Sequence, residues 1–201
     1  KALRVRAIGV DPSINVSKIA NDAGLETLVS FFDQATVKKI IKKYGKSDMV
    51  VASSIFTHLE DPRRFIEAVK DLMTEDGSFI IEVEYIGNII KNVQFERFYL
   101  DRIFYYSLSS LSRLFESHEM YVADVEKIEP HGGSIRITAL KDGNNKKPTN
   151  RVHQLLAEEG KSLNLSKLNK FKNQVNDYVI AFKQKLNEYK KSKLKVAGYS
   201  A

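Results

Sequence analysis

A chain of 201 residues is long enough for one domain with a substantial apolar core plus an appendage. It has no cysteine, which excludes disulfides and thiolate metal sites within it, and no apolar run approaches the roughly 20 residues that cross a bilayer. The charge of +7 is uneven, with 18 Lys and Arg against 20 Asp and Glu in residues 1–140 but 14 against 5 in 141–195, so the lysines read as a solvated helix face and neither nucleic acid nor membrane is an expected partner.

Residues 3–11, LRVRAIGVD, predict a strand ending at Asp11. A carboxylate there matches the paired hydroxyls of a nucleotide ribose; the competing reading is that Asp11 caps the helix of 12–23, which carries Ile14, Ile19 and Ala20 and stops at Gly24. Residues 27–32 predict a second strand, whose Phe31 and Phe32 either stack on a purine or fill the core. A helix over 34–44 turns Val37, Ile40 and Ile41 inward and Lys38, Lys39, Lys42 and Lys43 outward, and Gly45 ends it.

The stretch 48–62, DMVVASSIFTHLEDP, organises the rest. Residues 49–52 form an unbroken apolar run that suits a strand buried on both faces in a parallel sheet. Asp61 is placed to cap the following helix, Pro62 to open it, and Phe65, Val69 and Leu72 to pack it on the sheet. The loop 53–60, with His58, therefore lies beyond the carboxyl end of a parallel strand, where open α/β sheets bind ligands.

Asp76 and Gly77 mark a turn, and 79–83, FIIEV, the next strand, which brings Glu82 to the site region with Glu84 and Tyr85 beyond it. A buried strand end keeps a carboxylate only when it is paired or catalytic. Residues 86–106 mix Phe95, Phe98, Tyr99, Phe104, Tyr105 and Tyr106 with Glu96, Arg97, Asp101 and Arg102, reading as a lid over a polar ligand or as an amphipathic connector. A helix over 108–118 and a strand over 120–129 follow, and Gly132 and Gly133 signal a hairpin to an antiparallel last strand. After a linker at 142–148 come helices near 149–160 and 164–195. The longer one carries a stripe of Leu168, Phe171, Val175, Tyr178, Phe182, Leu186 and Tyr189 that calls for self-association or for docking on a flanking domain. The fold class read from this alternation is α/β, a mostly parallel sheet with a terminal antiparallel hairpin, followed by C-terminal helices.

GVDPS at 9–13, H-x-x-D-P at 58–62, FIIEVEY at 79–85, YYSLSSLSRLF at 105–115, DVEKIEPHGGSIR at 124–136 and VAGYSA at 196–201 stand in collinear order. Together they resemble the S-adenosylmethionine-dependent C-methyltransferases of nucleotide-activated deoxysugars. The resemblance implies a class I methyltransferase domain with a Rossmann-like sheet over 1–141, a helical extension over 142–195 and the start of a further α/β domain at 196–201. It also implies a cysteine-rich zinc module and the first, glycine-loop strand upstream of Lys1, and a cytoplasmic protein acting on a nucleotide-sugar.

Carried over by position, the resemblance places Asp11 on the ribose of S-adenosylmethionine, Phe31 and Phe32 near adenine, and Ser53 and Ser54 at the methionine end. His58, Tyr85, Tyr99 and His131 would face the sugar, with Glu82, Arg102 and Arg136 as further substrate contacts. Relatives carry Tyr-His-Glu-His where this chain has Tyr99, Leu100, Asp101 and Arg102, and the last histidine is their base. Arginine stays protonated, so Arg102 suits a phosphate or an enolate oxygen instead. The catalytic candidates are then His58 or His131 as base, Asp101 to orient one of them, and Tyr99 to donate to or deprotonate the sugar. The lost histidine opens one alternative, methyl transfer to oxygen or nitrogen; a reading of a different class is a non-catalytic module that binds nucleotide-sugar or assembles through its long helix.

Overall fold

A computed structural model describes residues 5–198 of the chain. The strands are β1 (Gly9–Asp11), β2 (Thr27–Val29), β3 (Ser47–Ser53), β4 (Met73–Glu84), β5 (Met120–Ile128) and β6 (Ser134–Lys141). The helices are α1 (Ile14–Asp22), α2 (Gln34–Tyr44), α3 (Pro62–Leu72), α4 (Ile86–Lys91), α5 (Leu108–Glu116), α6 (Asn150–Ser162) and α7 (Leu165–Lys191). β1 and β2 form a parallel pair, and the other strands form a sheet in the order β3-β4-β6-β5, parallel at β3-β4 and antiparallel through β6 and β5. Among the described residues no strand pairing joins the two sheets. Helices join them instead, where Val37 and Ile40 of α2 meet Ala68 and Leu72 of α3 against Val10, Leu28 and Val50.

Local chemistry sets most boundaries. Asp33 caps α2 by accepting from Thr36 N at 2.7 Å, and Gly45, at φ 86°, ends it in a conformation that L side chains resist. Asp61 accepts from Arg63 N and Arg64 N with Pro62 in the first turn of α3. Ser107 and Ser110 cap α5 reciprocally. The apolar faces of α3, α5 and α6 close over one face of the four-stranded sheet, in a core built around Phe56, Phe65, Phe79, Tyr106 and Phe115.

Four expectations need correction. The strand ending at Asp11 begins only at Gly9, and residues 1–4 lie outside the described part. α1 buries Ser17, whose Oγ donates to Asp11 O at 3.0 Å, and leaves Ile14 and Ile19 exposed. β3 is not buried on both faces: Ala52 is packed and Val50 half-buried, while Met49 and Val51 are exposed because nothing among the described residues covers that face. β4 starts directly after α3, and the turn expected at Asp76 and Gly77 falls within it, where the register slips between the Ser47–Met73 and Met49–Ser78 pairs.

The helical extension is tied to the sheet by α6. Asp124 of β5 accepts from Thr149 Oγ1 and from the Arg151 guanidinium, and Thr149 N donates to Ala123 O. α7 buries no residue completely; its stripe meets the 95–98 segment through Phe95 on Tyr178 and Phe98 on Phe171, with ring centroids 5.5 and 6.3 Å apart, while Phe182 stays exposed. Residues 196–198 form no regular element, and 199–201 fall outside the described residues.

Candidate functional site

The loop after β3 is anchored from below. Phe56 is fully buried among Phe65, Phe79, Tyr106 and Phe115, and His58, two residues on, lines a cavity of about 150 Å³. Ser54 turns the chain at φ 59°, with its N–H on Glu82 O at 3.2 Å. The 98–104 segment lies across this loop, because Thr57 O accepts from both Ile103 N and Phe104 N. His58 Nδ1 is 2.7 Å from Asp101 O and 3.7 Å from an Asp101 carboxylate oxygen. A carbonyl only accepts, so Nδ1 carries a hydrogen, and in the neutral ring Nε2 is then the nitrogen with the lone pair.

The carboxyl end of β4 supplies two carboxylates on one face. Glu82 accepts from Ser53 Oγ at 2.8 Å and from Arg136 Nε at 2.7 Å, and Arg136 also reaches Glu126. Ser53, Glu82, Arg136 and Glu126 stand directly opposite one another across β3, β4, β6 and β5. The Ser53 hydroxyl and the Arg136 guanidinium together hold Glu82 below the usual carboxylate range. Glu84 is 5% exposed; its Oε2 accepts from Arg102 Nη1 at 2.5 Å, and its Oε1 has no partner. The Arg102 guanidinium lies over the Tyr99 ring, 4.6 Å from its centroid. His131, also lining the cavity, sits at φ 57° in the turn before β6, a turn held by Ser134 Oγ on Pro130 O at 2.9 Å.

Of the residues expected at the site, Ser54, His58, Glu82, Arg102 and His131 line this one cavity. Asp101 reaches it through its carbonyl on His58, and Tyr99 through its ring under Arg102. Ser53 and Arg136 sit behind Glu82 rather than on the wall. Tyr85 is misplaced by the expectation: it is 4% exposed and faces the core, and burial beside Glu159 pushes its phenol above its ordinary value. Strand alternation explains this, since Tyr85 shares a face with Phe79, Ile81 and Val83. Thr57, Glu84 and Ser134 also line the cavity. The alternation that buries Tyr85 puts Glu84 on the Glu82 face, whereas no local signal marks Thr57 or Ser134.

A second group of expected residues lies at the end of the β1-β2 pair. Asp11 Oδ1 accepts from Ser13 N at 2.7 Å in the turn before α1, but the helix cap is Ser13, whose side chain accepts from Val16 N, so the capping reading is corrected; Oδ2 is uncommitted among the described residues. Ser30 N donates to Asp11 O, and the next residue, Phe31, is 73% exposed. Phe32 instead packs on Phe65 with centroids 4.8 Å apart, filling the core. A strand-end carboxylate with a spare acceptor oxygen, at the same end of the strand pair as an exposed aromatic ring, matches the two ribose hydroxyls and the stacking base of a purine nucleoside.

The family described as "Methyltransferase domain" matches residues 1–124, and that described as "C-methyltransferase C-terminal domain" matches residues 129–201. The chain is 36% identical over 154 residues to the C-methyltransferase NovU of Streptomyces niveus; the match covers 77% of this chain but only 37% of that relative. Two solved structures share the fold. A SAM-dependent methyltransferase from Anabaena variabilis has TM-score 0.52 at 12% identity, covering 68% of each chain. The methyltransferase in a complex with the Haloferax volcanii Trm112 methyltransferase activator has TM-score 0.52 at 17% identity, covering 68% of this chain and 72% of that one.

Proposed function

Because the chain belongs to the S-adenosylmethionine-dependent methyltransferases, with a C-methyltransferase C-terminal region, we propose that it methylates the carbon beside a ketone of a nucleotide-linked deoxysugar. The observation that carries this reading is the orientation of His58, which lines the cavity: Nδ1 is committed to Asp101 O, so Nε2 is the nitrogen left to accept a proton. A carbon acid needs such a base.

In this reading Asp11 Oδ2 holds the ribose hydroxyls of the cofactor, Phe31 lies against adenine and Ser54 lines the methionine end. When bound, S-adenosylmethionine supplies an electrophilic methyl group, whose transfer to carbon breaks the carbon–sulfur bond and leaves a thioether. His58 Nε2 takes the proton from the substrate carbon, the electron pair of that bond forms the carbon–carbon double bond, and the carbonyl pair moves onto oxygen to give an enolate. The imidazolium so formed is steadied by Asp101, through its carbonyl and its nearby carboxylate. His131, which also lines the cavity, and Tyr99, beneath Arg102, contact the sugar.

Calorimetry of the full-length protein with S-adenosylhomocysteine, followed by turnover of a substrate deuterated beside the ketone, tests the reading. Binding, with deuterium lost from the carbon that gains the methyl, is expected. Deuterium kept while methyl appears on oxygen or nitrogen overturns carbon methylation, and absence of binding overturns the enzyme.

A further inference from the structure

Arg102 spends only part of its guanidinium on the protein. Nη1 donates to Glu84 Oε2 at 2.5 Å and to Arg97 O at 3.4 Å, whereas Nε and Nη2 have no acceptor among the described residues. Neither is sealed from solvent, since the buried polar atoms without a partner are Glu84 Oε1 and the Tyr106 hydroxyl. The side chain is nevertheless only 14% exposed, and it lines the cavity that holds His58. A well-packed guanidinium with two idle donors, lining the same cavity as an imidazole, is equipped to take an oxygen.

Charge decides which oxygen. Around the cavity Glu84 balances Arg102, and Glu82 balances Arg136, so no positive charge is left over. A sugar diphosphate brings at least two negative charges and would meet both carboxylates, an arrangement that is costly in a partly desolvated site. An enolate oxygen brings one, and it appears in the same step that makes His58 an imidazolium, so the sum over the cavity does not change.

We propose that Arg102 is a catalytic residue that holds the enolate oxygen through Nε and Nη2, with Glu84 as the positioning residue that fixes its plane. This rests on the carbon-acid reading above. As the proton moves from carbon to His58 Nε2, the carbon–hydrogen electron pair becomes the carbon–carbon double bond and the carbonyl pair settles on oxygen, where the two N–H groups meet it. The pair returns to carbon when the methyl is accepted. Glu84 acts at a distance from the reacting atoms: its carboxylate, fixed at the end of β4, pins Nη1 and leaves the opposite edge of the fork facing the substrate.

The test uses the full-length protein saturated with S-adenosylhomocysteine, so that chemistry stops at the enolate. Uptake of solvent deuterium beside the ketone of dTDP-4-keto-6-deoxyglucose is followed by mass spectrometry. Arg102→Gln is expected to slow uptake at saturating probe by about 10²–10³-fold, with its affinity for dTDP alone unchanged. Arg102→Lys, which keeps the charge without the fork, guards against misfolding and is expected to slow uptake by at least about tenfold. Glu84→Gln is expected to lower the saturated rate while leaving the half-saturating probe concentration unchanged, a split that a purely structural role would not produce. Uptake at the wild-type rate in Arg102→Gln overturns the proposal, as does lost dTDP affinity with normal saturated uptake, which would put Arg102 on the phosphates. No enzyme-dependent uptake by the wild-type protein overturns the carbon-acid reading itself, and the proposal with it.

Discussion

Glu159 of α6 receives the backbone N–H of Leu108 at 2.7 Å, and its other carboxylate oxygen receives the N–H of Ser109 at 2.8 Å. A carboxylate that is 2% exposed thus satisfies the first turn of a helix in a different part of the chain. Glu159→Ala strips both donors of their partner inside the core. A loss of about 2–4 kcal/mol in urea unfolding is expected, with Glu159→Gln losing less because one oxygen remains.

Phe56 links the core to the site. Its ring contacts four other aromatic rings, and His58 follows two residues later. Phe56→Ala is expected to cost about 3–5 kcal/mol and Phe56→Leu about 1 kcal/mol, both read from denaturant midpoints. Binding of S-adenosylhomocysteine by the folded fraction should change less than turnover does, because Asp11 and Phe31 lie on the other sheet.

Glu82 sets an acid limb of stability. Its folded pKa lies below the ordinary 4.5 because Ser53 and Arg136 hydrogen-bond the charged form. A depressed carboxylate adds stability that is complete above its unfolded pKa and is lost as pH falls through the lower folded one. Wild-type unfolding free energy should therefore fall as pH drops below 4.5, and Glu82→Gln should fall less steeply. Urea titrations from about pH 6 to about pH 3 measure the difference.

His58→Ala should lower methyl transfer by about 10²–10⁴-fold with little change in cofactor binding. Asp101→Ala should cost far less, because the bond that orients the imidazole comes from the Asp101 carbonyl rather than its side chain.

The parts of the fold that sequence reveals are those with local causes. α2 is bounded by an Asp cap and a positive-φ glycine, α3 by Asp61 and Pro62, and the β5-β6 hairpin by Gly132 and Gly133. Errors arise where distant partners decide. The apolar run of β3 was expected to be covered on both faces, yet coverage depends on elements that no run announces. The side on which Tyr85 emerges was legible from alternation with Phe79, Ile81 and Val83, and the pull of a sugar-facing motif pointed the other way. Glu84 with Arg102, and Glu159 with Leu108, are pairs 18 and 51 residues apart; such partners are set by tertiary packing and leave no periodic trace.

The polar row from Ser53 to Glu126 also tells β6 where to stop along β4. Sliding β6 by one residue would drive Arg136 into the apolar layer, and sliding it by two would strand Glu82 opposite Ser134 or Thr138 without its guanidinium. The charges that shape the cavity thus act as the key by which the strands find alignment. Evolution of a new substrate through Glu82 or Arg136 must therefore negotiate with assembly of the sheet, whereas replacing His58, Arg102 or His131, carried outside the ladder, alters the chemistry without disturbing strand alignment.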